Sequence, residues 1–344
     1  MTKKLLLFIL ITCALSLHAA STKKIVLNLP SASGEIEGNR QSYVEYVAPE
    51  DNKLPILLLG PGVNRGLLEM DGFINSLTRR GYGVVAMHFS TLPHSVAALG
   101  KETRPYFDKE DFEMKDYAFE MEVIGNWARD KFKRDVVPVT LSFSGAPSSL
   151  LKGFNTIIDI APMTSVSDAR PALGFYLQSL RTANMFNPFG RAVIRAAMDQ
   201  TYYGVWRPKT EEMIGGFGFD QDLYDNILEG YMTSSRSLES FDWDPKETPK
   251  TTKRVLILAE EESESLLEGQ VDVLKDFFRA KRSTSCFFIR GAGHAISFHK
   301  PVTTANVIDL VIKNKVKNEN GCYDVKGQRE MEFVPQNDLD IIFP

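Results

Sequence analysis

The sequence predicts an α/β fold: a mostly parallel central sheet flanked by helices, with a helical segment inserted in its second half. Three observations carry this reading. Short apolar runs alternate with amphipathic, helix-length segments, the pattern of a sheet covered on both faces. Several of these runs, such as Leu54 through Leu59, are apolar without interruption, as strands buried on both sides are. The alternation stops near residue 161 and resumes near residue 254, and the stretch between is rich in aromatics and shows no clear strand.

Taken in order, residues 43–47 read as an early strand and 54–59 as the first fully buried one, ending in the turn Gly60, Pro61, Gly62. Residues 66–80 carry Leu67, Leu68, Phe73, Ile74 and Leu77 at helical spacing. Gly81 and Gly83 break that helix, and residues 84–87 form the next strand. A long amphipathic helix over 111–132 leads to a strand at 136–141, and another strand follows at 156–160. After the insertion come a strand at 254–259, a helix at 266–280, a strand at 285–289 and a helix at 302–316. Residues 317–344 read as a polar C-terminal extension with a few apolar anchors.

The domain layout expected is therefore a signal peptide over 1–20, a core in two parts over 21–160 and 254–316, a helical cap over 161–253, and the extension. Lys3 and Lys4, the apolar stretch from Leu5 to Leu17 and the small exit Ala19, Ala20 have the three-part form of a secretory signal, so an exported protein is expected. Cys13 lies in a segment that loosely resembles a lipoprotein cleavage box, although the apolar run before it is very short. No other segment approaches eighteen uninterrupted apolar residues, so no stable membrane insertion is expected after cleavage. Removing Lys3 and Lys4 from a formal net charge of −4 leaves −6, which argues against a nucleic-acid partner. Beyond Cys13, the cysteines Cys286 and Cys322 either pair, tying the extension to the last core strand, or remain a buried and an exposed thiol.

The chemistry is concentrated in Leu141, Ser142, Phe143, Ser144, Gly145 and Ala146, where a β-branched strand stops at a serine among small residues. A strand that turns sharply into a helix lifts one hydroxyl into the open, and crowding there demands small neighbours two residues away. Taken with Ser142 and Ala146 as those neighbours, the pattern makes Ser144 the candidate nucleophile and gives the Gly145 N–H to the oxyanion. A serine hydroxyl needs a histidine to take its proton and an acid to orient that histidine. His294, in the run Gly291, Ala292, Gly293, His294 after the last core strand, is the candidate base. His299 reads as a surface residue beside Lys300 and Pro301. His88 and His94 read as structural or pocket-lining, with no spacing that suits a metal. The acid belongs on the loop after the preceding strand, and three residues past Ala259 lies Glu262. Glu261 is the alternative, Glu260 and Glu264 share the same acidic run, and Asp168 is an outside candidate. The second oxyanion donor is expected from the Val63 N–H, since Pro61 has none to give.

The order Ser144, Glu262, His294, together with the turn at Gly60 through Gly62, resembles the α/β-hydrolase superfamily over about residues 43–316, with the insertion where such enzymes carry a lid. Three departures mark it: Ser142 and Ala146 stand where the elbow commonly has glycines, glutamates stand where an aspartate is usual, and no His-Gly pair precedes the oxyanion turn. The resemblance implies acyl transfer to water through an acyl-serine, with no metal or organic cofactor. The aromatic insertion fits an ester with an apolar part, so a carboxylesterase acting on a small-molecule substrate leads. A peptidase or amidase, an acyltransferase, and a catalytically silent binding protein of the same fold are its rivals. The sequence leaves the oligomeric state open.

Overall fold

In the computed structural model the described residues are 22–29, 40–50, 53–62, 70–91, 113–164, 233–234, 237–238, 241–262, 264–280, 283–316 and 320–343. Among the described residues ten strands form one sheet: β1 (Lys23–Leu29), β2 (Arg40–Val47), β3 (Ile56–Gly60), β4 (Gly83–Met87), β5 (Val136–Leu141), β6 (Thr156–Ile160), β7 (Lys253–Glu261), β8 (Thr284–Gly293), β9 (Gly321–Val325) and β10 (Met331–Pro335). Their spatial order is β1-β2-β4-β3-β5-β6-β7-β8-β9-β10. From β4 to β9 every pairing is parallel, while β1 with β2, β2 with β4 and β9 with β10 are antiparallel. The mostly parallel sheet is the one the apolar alternation predicts.

Helices cover both faces because each central strand is apolar on both sides. Ile56 and Leu58 of β3 and Leu256 and Leu258 of β7 face one core, with Tyr117, Met121 and Ile124 of α2 (Met114–Phe132) and Leu274 and Phe277 of α4 (Glu264–Arg279). Leu57, Leu59, Val255 and Ile257 face the other, against Phe73 and Leu77 of α1 (Asp71–Thr78) and Val307 and Ile308 of α5 (Pro301–Ile312). Helix α2 begins where the Glu113 N–H donates to the Asp116 carboxylate at 2.8 Å, and ends at Lys133 in a left-handed conformation. Strand β3 has β4 on one side and β5 on the other, so the chain reverses its direction of travel across the sheet here. Ligands of open parallel sheets bind at such a point, beyond the carboxyl ends of the strands.

Two parts of the sheet depart from the sequence reading. β1 precedes the first expected strand and pairs with β2 over its whole length. The extension is a structural part of the sheet: β9 lies parallel to β8, β10 folds back on β9, and a 3₁₀ turn (Gln336–Ile341) follows. Cys286 and Cys322 sit opposite each other on β8 and β9 and form a disulfide with Cα atoms 4.2 Å apart. Of the expected cap, only 161–164, 233–234, 237–238 and 241–253 are described, and the expected signal peptide over 1–20 lies outside the described residues. Within these residues the backbone N–H of Trp243 donates to the Thr164 carbonyl at 2.8 Å. Among the described residues no helix is long and apolar enough to cross a membrane.

Candidate active site

Strand β5 ends at Leu141, and the next residue, Ser142, takes φ +49° before a single 3₁₀ turn (Ser142–Ser144) runs into the short helix α3 (Gly145–Ser148). A non-glycine residue held in this left-handed region costs about 1–3 kcal/mol, and such strain collects at functional sites. The turn raises the Ser142 hydroxyl toward the β8 exit, where Ser142 Oγ lies 2.7 Å from His294 Nε2. His294 Nδ1 lies 2.6 Å from Glu262 Oε2. The three side chains thus form one hydrogen-bonded chain across the carboxyl ends of β5, β7 and β8.

The expected pairing of Ser144 with His294 is corrected by this geometry. Ser144 is fully buried in the 3₁₀ turn, and its Oγ accepts from the Leu141 N–H at 2.8 Å and donates to the Leu141 carbonyl at 3.1 Å. Its side chain packs on β3, where a Cβ on Gly60 would lie 2.7 Å from Ser144 Oγ. Ser144 therefore fills the position two residues after the elbow, where size is restricted, and the elbow itself is Ser142. Both serines fit a small-x-Ser-x-small pattern. The distinguishing signal was the end of β5, because the residue immediately after the strand is the one that the turn inverts.

The Gly145 assignment moves with it. The Gly145 N–H points into its own turn, toward the Phe143 and Ser142 carbonyls, and so does not face the Ser142 hydroxyl. Glycine is required at 145 by packing: a Cβ there would lie 2.5 Å from Pro162 Cβ. The N–H that follows the elbow serine is that of Phe143, in the first turn of a helical segment, where amide donors lack intrahelical acceptors. Val63, His94 and Asp168 lie outside the described residues.

Around the acid, the glutamates separate by role. Glu262, one residue past β7, has a side chain 3% exposed, while that of His294 is 36% exposed. Glu261 is exposed and pairs with Gly293 through its backbone at an irregularity in the β7–β8 register. Glu260 accepts from the Gly291 N–H at 2.7 Å and from Arg290 at 2.8 Å, and both interactions hold its carboxyl below the usual carboxylate range, the Gly291 bond most. His88 is buried against Tyr43, and His299 is exposed beside Phe298. With Glu262 as carboxylate, an acceptor only, His294 Nδ1 carries the proton, and Nε2 is left to accept the Ser142 proton. That arrangement can activate the hydroxyl as a nucleophile.

Below the elbow lies a fully buried ion pair that sequence reading missed. Arg254 of β7 contacts Asp159 of β6 at 2.8 Å, and both side chains are 0% exposed. Asp159 Oδ1 also accepts from Thr140 Oγ1 and Ser148 Oγ, each at 2.6 Å, so one carboxylate binds the strand before the elbow and the helix after it.

The sequence matches no protein-family model and no curated protein. Solved structures share the fold. A carboxylesterase from the thaumarchaeon Nitrososphaera gargenis is 12% identical with a TM-score of 0.57, over 85% of this chain and 100% of that one. A thermostable carboxyl esterase from Bacillus coagulans is 10% identical with a TM-score of 0.53, over 86% and 98%. A bromoperoxidase from Bacillus anthracis is 12% identical with a TM-score of 0.54, over 86% and 100%. The chain has the α/β-hydrolase fold.

Proposed function

We propose that this protein is an exported serine hydrolase that cleaves carboxylic esters of small molecules, with Ser142 as nucleophile, His294 as general base and Glu262 as the orienting acid. The observation that carries this reading is the unbroken chain from Ser142 Oγ through His294 to Glu262 at 2.7 and 2.6 Å. Ser142 attacks the ester carbonyl as its proton passes to His294 Nε2, and Glu262 stabilises the imidazolium. The Phe143 N–H, with that of Val63, three positions past β3 in the sequence, receives the developing oxyanion. His294 then protonates the departing alcohol and activates the water that frees the acid. Export is supported by the basic and apolar N-terminal segment and by a disulfide at Cys286–Cys322. The esterases among the structural neighbours support the choice of ester substrates.

Chromogenic esters of graded acyl length, set against aminoacyl anilides, test the substrate class. Turnover of esters that vanishes in Ser142→Ala is the expected result. Anilide cleavage with no ester turnover would make the protein a peptidase, and no turnover of either would favour a binding role.

A further inference from the structure

The acidic run Glu260–Glu264 holds more carboxylates than one triad needs, and Glu260 has a defined task of its own. Its Oε2 binds the Gly291 N–H and its Oε1 binds Arg290. Gly291 has φ +58°, the kink from which β8 runs to Gly293 and His294. Arg290 lies over the Phe288 ring at 4.7 Å and reaches Asp324 of β9 through Nε at 2.7 Å. Asp324 is 7% exposed, with Lys326 Nζ 3.9 Å from its other oxygen. β9 is in turn bonded to β8 along its length and by the disulfide two positions before the start of the Phe288–Arg290 stretch.

Resting on the triad reading above, we propose that Glu260, Arg290 and Asp324 are positioning residues for hydrolysis: a strap, anchored on the C-terminal extension, that fixes the His294 loop against the Glu262 loop. The logic is mechanical. β7 and β8 lose their regular register after Ala259, where only the pair Glu261 and Gly293 remains. Between Ile289 and that last pair the ladder is interrupted at Glu260 on one strand and at Arg290, Gly291 and Ala292 on the other. Glu260 replaces it with two charge-assisted hydrogen bonds, and Asp324 fixes the guanidinium that makes one of them. A triad loosened by a fraction of an ångström still binds substrate but reacts slowly.

The test uses the full-length protein with Glu260→Ala, Glu260→Gln and Asp324→Asn. Glu260→Ala is expected to lower kcat at least tenfold with KM within about twofold. Glu260→Gln, whose amide oxygen still accepts from Gly291, should recover most of that loss. Asp324→Asn approaches the strap from the other end and should lower kcat without touching the site, which keeps the proposal testable if Glu260→Ala fails to fold. Folded variants with wild-type kcat, or a Gln variant as impaired as the Ala variant, would overturn it. Ser142-dependent labelling by a fluorophosphonate separates the two failures. If the wild type is labelled and Ser142→Ala is not, a null effect at 260 and 324 sinks only the strap. Labelling that ignores Ser142 sinks the triad beneath it.

Discussion

Two serines one residue apart have opposite surroundings: Ser142 is partly exposed against an imidazole, and Ser144 is sealed under β3 with both its hydrogen bonds made locally. Ser142→Ala should therefore lower ester turnover by several orders of magnitude at nearly unchanged stability. Ser144→Ala should retain activity yet lose about 1–3 kcal/mol, because the Leu141 N–H would be left without its acceptor. Chemical denaturation alongside kinetics separates the two. The left-handed backbone at 142 adds a further expectation. Ser142→Gly, relieved of Cβ strain, should be more stable than Ser142→Ala by about 1 kcal/mol. Glu262→Gln should lower kcat by about three to four orders of magnitude with the fold intact, as expected when the histidine loses its orienting acid.

At the scale of elements, the elbow is held from beneath by charge and from the side by close packing. Replacing Arg254 with Met would strand the buried Asp159 carboxylate beside Thr140 and Ser148, and a loss of about 3–5 kcal/mol in urea unfolding is expected. The strap at Glu260 has a sign that can be worked out. Its carboxyl is held below the ordinary range by the Gly291 N–H and Arg290, so its contribution is present above that range and fades as pH falls through the lowered value. The Glu260 carboxyl should consequently protonate below the ordinary carboxylate range, which a side-chain NMR titration of the wild type against Glu260→Gln checks. Much of this layer was legible in the sequence. The strand at 136–141 and the loop at 260–262 followed from apolar runs bounded by small or acidic residues. The elbow register was misread, since Ser142 and Ser144 share the same local composition; the strand end at Leu141 marked Ser142, and the fit of Ser144 against Gly60 adds a tertiary reason that local composition does not carry. Asp159 and Arg254 were invisible as a pair because each sits in or beside an apolar run with no local partner in the sequence, and their contact spans 95 positions.

Over the whole molecule, the sheet continues past the last expected core strand. The extension looked like a polar tail because β10 is partly exposed or exposed at every position but the buried Val334, as suits a strand with one open edge. Its buried anchors, Leu339, Ile342 and Phe343, join the same core as α2 and α4. The disulfide closes a loop spanning 36 positions, and loop-closure entropy of that length corresponds to about 4 kcal/mol. Cys286→Ser with Cys322→Ser should lower stability by up to about that amount. If the extension braces the His294 loop, kcat should fall before the fold melts as temperature rises.

The most direct test of the account is the site of a covalent adduct. After reaction with a fluorophosphonate, peptide mapping by mass spectrometry should place the phosphonyl group on Ser142, with none on Ser144. An adduct on Ser144, or full labelling of Ser142→Ala, would contradict it.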